Sequence, residues 1–155
     1  DMMRFLSGGD CEVFQGFGWN PEWSSFKHFS SGFYLMRMDN GVHAAYEGNS
    51  SAAGITSCWH KEYYRLEFEG GTVEIGAGDE VRITRVGQEL EVYQAPALEH
   101  TGHEYQLQEF VDWLEGGPAS ATRIEDNLQS FALVIAAMET TEDGSPKRIA
   151  DYLEG

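Results

Sequence analysis

The sequence predicts an α+β fold, an open and mostly antiparallel β-sheet with helices packed on one face. Three observations carry this. Strand-like runs crowd the first two thirds of the chain and are joined by short glycine-rich links. The hydrophobic period then lengthens to that of helices, without the regular strand–helix alternation of a parallel sheet. Phe33 to Met38 is apolar on both sides, so both of its faces must be covered.

The chain opens on Asp1-Met2-Met3-Arg4-Phe5-Leu6 and stops at Ser7-Gly8-Gly9. This reads as the end of a helix, with Asp1 as a candidate N-cap. So short a helix is marginal unless something packs on it. The simpler reading is a chain cut from a longer one, whose upstream part carries some of the function.

Cys11 to Trp19 alternates loosely and reads as a strand. Asn20 to Ser31 is a loop containing Trp23, Phe26 and Phe29. In the strand Phe33–Met38, Phe33 and Leu35 face one way and Tyr34, Met36 and Met38 the other. Asp39-Asn40-Gly41 is a hairpin turn that returns Val42 to Tyr46 as the partner strand. After Gly48 to Ser57, an antiparallel meander is expected. Tyr64, Leu66 and Phe68 share one face, opposite Arg65, Glu67 and Glu69. Strands Thr72–Ile75, Val81–Val86 and Leu90–Tyr93 follow.

Thr101-x-x-Glu104 is a capping box for a helix with Leu107, Phe110, Val111 and Leu114 on one face, stopped by Gly116-Gly117-Pro118. Thr122-x-x-Glu125 opens a longer helix whose stripe is Ile124, Leu128, Phe131, Ala132, Ile135 and Met138. Gly144 and Pro146 end it, and Ile149 to Leu153 is a short apolar tail suited to an edge strand. One sheet covered by helices on one face leaves the other face bare. A second copy of the chain is the economical cover, through the face carrying Tyr34, Met36 and Met38 or its opposite.

Charge and cysteine content bound the function. Twenty-six acidic residues against ten basic give a net charge of −16. That excludes nucleic acid and an anionic membrane surface as partners, since both need a basic footprint. Cys11 and Cys58 lie far apart, so neither a disulfide framework nor structural zinc is expected, and a cytoplasmic setting fits.

Gly16-Phe17-Gly18 and Gly76-Ala77-Gly78 lack the third glycine and the following helix of a nucleotide loop, and both read as turns. Among His28, His43, His60, His100 and His103 no third ligand accompanies any pair, so no metal is expected. No serine sits in a nucleophile elbow. Glu67 and Glu69 fall on a solvated strand face. Trp59-His60 is the best local pair, because an indole and an imidazole at a strand's opening edge can stack on and hydrogen-bond a sugar. The plain alternative is a packed Trp59 beside an exposed His60.

The run Gly102-His103-Glu104-Tyr105-Gln106-Leu107-Gln108-Glu109-Phe110-Val111-Asp112-Trp113-Leu114-Glu115-Gly116-Gly117-Pro118, then Arg123-Ile124-Glu125-Asp126-Asn127-Leu128-Gln129-Ser130-Phe131-Ala132-Leu133, resembles the C-terminal domain of the Gfo/Idh/MocA family of NAD(P)-dependent oxidoreductases. Asp1 to Gly9 is similar to that family's Asp-x-x-Arg-x-Leu-x-Gly segment. Phe33–Tyr46 and Trp59–Ile75 are similar to its sheet strands.

The resemblance implies a two-domain parent enzyme. An absent N-terminal Rossmann domain holds NAD or NADP. Residues 1–155 are then a single C-terminal domain for substrate binding and homodimerisation through the sheet face. The parent moves a hydride to or from a hydroxyl carbon of a sugar or cyclic polyol. The family's catalytic lysine stands in a Glu-Lys-Pro motif that this chain lacks, and its histidine falls upstream of Asp1. No catalytic or cofactor-binding residue therefore carries over. Only Trp59 and His60 match a region that approaches substrate. The fragment alone is expected to be inactive and to bind no nucleotide. The rival expectation is a free-standing, non-catalytic module for ligand binding or dimerisation.

Overall fold

The computed structural model describes residues 1–52, 62–76 and 80–153. In chain order the elements are α1 (Met2–Ser7), β1 (Cys11–Trp19), β2 (Ser31–Met38), β3 (His43–Asn49), β4 (Tyr64–Phe68), β5 (Gly71–Ile75), β6 (Glu80–Arg85) and β7 (Glu91–Gln94). After them come α2 (Gly102–Leu114), α3 (Ile124–Asp143), β8 (Lys147–Arg148) and a 3-10 helix, Ile149–Tyr152. The fold is α+β and every strand pairing among the described residues is antiparallel. Among the described residues the strands divide into two sheets, ordered β3-β2-β1-β8 and β4-β5-β6-β7, where a single sheet was expected. The chain forms two units, Asp1–Ala52 with Gly102–Gly155 and Ala53–Thr101.

In the first unit, strand alternation puts Phe14 and Gly16 of β1, Tyr34 and Met36 of β2 and Ala44 and Tyr46 of β3 on one face, with Phe14 opposite Met36 and Gly16 opposite Tyr34. Phe14, Tyr34 and Tyr46 stack in a row, at ring separations of 5.0 and 6.5 Å. Each such pair adds about 0.5–1.5 kcal/mol beyond its burial. This is the face that α3 covers. The core is Cys11, Phe14, Met36, Met38, Ala132, Ala136 and Ile149.

The packing face of α3 differs from the expected one. Ala132, Ala136 and Thr140, four residues apart, are the buried positions. Of the expected stripe only Ala132 is buried; Ile124, Leu128, Phe131 and Met138 are exposed. The reason lies in β1. A side chain at Gly18 would meet the Thr141 methyl at 2.7 Å, and the Gly16 N–H donates to Thr140 Oγ1 at 3.4 Å. Small residues on both partners let helix and strand approach closely, and large ones would hold them apart. Gly16-Phe17-Gly18 is therefore not a turn but the interior of β1, where the missing side chain of Gly18 makes room for α3 and that of Gly16 for Tyr34 of β2.

Other boundaries shift for local reasons. The first strand of the hairpin starts at Ser31 and its partner runs His43–Asn49, two and three residues beyond the expected ends. The second capping box does not form. Thr122 Oγ1 is paired with Ser120 Oγ at 3.0 Å, and α3 starts after Arg123, which makes no side-chain cap. Gly144, in the left-handed conformation at φ 73°, closes α3 as expected. The edge strand is Lys147–Arg148, against Val13 and Phe14 of β1, and the apolar tail is a 3-10 turn that buries Ile149. No residue of α2 is buried, its expected stripe included.

The second unit holds the meander, with Tyr64–Phe68 as expected. Register aligns Tyr64, Leu66, Val73, Ile75, Val81 and Ile83 on one half-buried face. Arg65, Glu67, Thr72, Glu74, Arg82 and Thr84 line the other.

Candidate functional site

Trp59 and His60 lie outside the described residues, as does Cys58. Cys11 is buried, and desolvation pushes its thiol up to about 11, so it is not an available nucleophile. His28, His43 and His103 are exposed, and α2 begins between His100 and His103. Among the described residues no three His, Cys, Asp or Glu side chains gather as a metal-binding group. Gly16 and Gly18 sit inside a strand, and so do not fit a dinucleotide cradle, which needs a helix N-terminus beneath the phosphates.

Two places do gather polar chemistry, and the sequence marks neither as a site, although Arg4 stands in the Asp-x-x-Arg segment noted above. The first is Arg4 on α1. Its side chain is 9% exposed, and its Nε donates to Asp10 at 2.6 Å while its terminal nitrogens donate to Asp126 at 2.9 and 3.3 Å, to Ser130 at 3.0 Å and to Asp1 at 3.2 Å. The paired oxygens of Asp126 take two guanidinium nitrogens, the strong planar arrangement for this cation. The Arg4 hydrogen bond holds the Asp126 carboxyl below the ordinary range. α1 is thereby stapled to α3, which explains how a six-residue helix persists. Asp1 serves Arg4 and Ser130 rather than capping the helix with its side chain. A lone arginine between apolar residues was the available signal.

The second place is the polar face of the meander. Tyr63 gives its hydroxyl to Glu74, and Arg82 Nε donates to Glu80 at 2.6 Å. With Gly76 these side chains line a cavity of about 250 Å³.

Besides the exposed stripe of α2, two apolar surfaces of the first unit stay open. One is the sheet face opposite α3, where Phe17 pairs with Phe33 and Leu35 with Ala45; Phe17 is 71% and Leu35 57% exposed. The face carrying Tyr34, Met36 and Met38 is taken by α3, so a partner through this sheet has only the Phe17–Phe33–Leu35 face to use. The other is the outer stripe of α3, where Ile124 is 71% and Phe131 62% exposed. No helix among the described residues is long and apolar enough to cross a membrane.

No protein-family model matches the chain. It is 32% identical over 165 residues to the uncharacterized protein y4oX of Sinorhizobium fredii, spanning 99% of this chain and 45% of that one. Among solved structures, an oxidoreductase from Agrobacterium radiobacter in complex with NAD+, L-tartaric acid and magnesium is similar at a TM-score of 0.83 and 21% identity, over 97% of this chain and 46% of that chain. An aldose-aldose oxidoreductase from Caulobacter crescentus, complexed with glycerol, is similar at 0.78 and 15% identity, over 94% and 43%. The fold of this chain is thus a fold found within oxidoreductases, and the chain spans about half the length of the curated relative it matches.

Proposed function

We propose that this chain is the C-terminal domain of an NAD(P)-dependent oxidoreductase of the Gfo/Idh/MocA type, acting on a sugar or cyclic polyol. The observation that carries this reading is a likeness over nearly the whole chain to under half of an oxidoreductase that holds a dinucleotide and a hydroxy acid. Two uncovered apolar surfaces support it, since contiguous patches of this kind mark interaction sites. In this reading the outer stripe of α3 meets the rest of the longer protein, and the Phe17–Phe33–Leu35 face meets a second copy. In this reading the nucleotide is held by the other half of the longer protein. This domain covers the substrate, with Trp59 and His60 as its contacts there, and the protein works in the cytoplasm.

Titration of the chain with NADH, followed by fluorescence, is expected to give no saturable binding, whereas the longer protein from the same reading frame binds. Saturable micromolar binding by the chain itself overturns the assignment. Light scattering is expected to give a dimer mass that Leu35→Glu converts to a monomer. A standard interface buries about 800 Å² per partner, and a charge at its centre is not tolerated. A monomer mass for the unsubstituted chain at every concentration overturns the dimer.

A further inference from the structure

The hairpin turn Asp39-Asn40-Gly41 is fastened to the link between α1 and β1. The Asp39 N–H donates to the Asp10 carbonyl at 2.8 Å, and the Asp10 N–H donates in return to the Asp39 carboxylate at 3.1 Å. Asn40 is held at both ends of its amide. Its Nδ2 donates to the carbonyl of Ser7, the last residue of α1, at 2.8 Å, and its Oδ1 accepts the Val42 N–H at 3.2 Å. Gly9 completes the contact, because a Cβ there would stand 2.6 Å from Asp39 Oδ1 and 2.7 Å from Asn40 Nδ2. A residue without a side chain lets the turn close on the link.

The chemistry of Asn-Gly gives this clasp a consequence. Of the four asparagines only Asn40 precedes a glycine. No side chain on Gly41 shields its nitrogen, which can therefore reach the side-chain carbonyl carbon of Asn40. A bond from that nitrogen to Cγ forms as the Cγ–Nδ2 bond breaks. The Gly41 proton leaves with the ammonia, and water opens the cyclic imide to aspartate or, with the backbone rerouted through Cγ, to isoaspartate. The turn is exposed to the water this needs. In the fold both reacting groups are engaged: the Gly41 N–H donates to the Met38 carbonyl at 3.0 Å, and the leaving Nδ2 is bound to Ser7. We propose that Asn40 is a site of spontaneous deamidation, held in check by the docked end of α1. The product undoes its own restraint. An aspartate has no N–H to give Ser7, and its charge stands beside Asp39 on a chain of net charge −16. The reaction does not reverse, so each chain that opens at this joint and reacts stays open.

The test is peptide mapping by mass spectrometry of the whole chain, incubated at physiological pH and temperature. Conversion at Asn40 is expected to be at least about tenfold slower in the folded chain than in the same chain in guanidinium chloride, because more than one hydrogen bond must break first. Gly9→Ala sets a methyl against two flexible side-chain ends, so the sheet is expected to stay folded while Asn40 is pushed off Ser7. It is expected to speed conversion about three- to tenfold, the scale of one hydrogen bond. Asn20, Asn49 and Asn127, which precede Pro, Ser and Leu, are the slower internal references. Asn40→Asp makes the product directly, and it is expected to raise hydrogen exchange at the Gly8 amide, which closes α1, by a similar factor. Equal conversion in the folded and unfolded chains, no conversion at Asn40 in either, or unchanged Gly8 exchange in Asn40→Asp overturns the proposal. So does a Gly9→Ala rate equal to that of the unsubstituted chain. If circular dichroism shows that Gly9→Ala has lost the fold, the other two measurements decide. No nucleotide or substrate enters the experiment, so its outcome is independent of the NADH titration.

Discussion

Met38→Ala is expected to lower the free energy of unfolding by about 2–5 kcal/mol, the cost of emptying a buried methionine site. Met38 is 1% exposed at the end of β2, and its neighbours in the core are fixed by the sheet on one side and by α3 on the other. The urea midpoint falls and the slope stays constant, as for a change in stability alone. Met138→Ala is the paired measurement. Met138 lies on the outer stripe of α3 and is exposed, so its loss is expected to cost under about 0.5 kcal/mol. A larger loss at Met138 than at Met38 means that α3 packs through the face bearing its large residues, and that the assignment of its buried side is wrong.

Gly16→Val is the second large effect, and two terms oppose each other. Valine favours strands, a gain of at most about 1 kcal/mol over a glycine that weakens them. Against that, a Cβ at Gly16 would stand 2.2 Å from the Phe33 carbonyl oxygen and 2.4 Å from the Tyr34 ring. Overpacking of this kind costs about 1–3 kcal/mol, and backbone is a rigid obstacle. The clash wins, and a net loss of about 2 kcal/mol is expected by denaturant titration. Gly70→Ala is the control, since nothing lies within 4 Å of a Cβ there, and it is expected to be neutral. Stabilisation by Gly16→Val refutes the close packing of the Tyr34 ring and the Phe33 carbonyl against Gly16.

Those two positions also show what the sequence could reveal. The strands of the meander and the Gly144 stop were legible because local chemistry decides them: alternation, paired glycines and a left-handed cap. The buried side of α3 was not. Its amphipathic pattern points to the side with Ile124, Leu128 and Phe131, whereas close approach to Gly16 and Gly18 selects Ala132, Ala136 and Thr140. Helix periodicity finds an apolar stripe but does not count how many partners the helix has. The end of the chain is similar: Ile149 to Leu153 has strand-like composition, yet Lys147 and Arg148 alone reach β1 before the chain turns. Of the candidate site, Glu74 and Arg82 become neighbours only through cross-strand register, which is set by turns elsewhere. Arg4 gains its meaning from Asp126, far along the chain. Trp59 and His60 remain expectations of the sequence, outside the described residues.

The short pairing of Val13 and Phe14 with Arg148 and Lys147 has a kinetic consequence. Every link in the second sheet joins consecutive strands, so that sheet can form as its residues leave the ribosome. The first sheet joins one of the earliest strands to the last, and its core needs Ile149 from beyond that strand. Loop closure over such a span is slow, and it is impossible before synthesis has passed Ile149. The two units are therefore expected to fold at different times, the inserted meander first. Until the last strand arrives, β1 presents one unpaired edge, and a nascent chain stalled there is the species most exposed to aggregation.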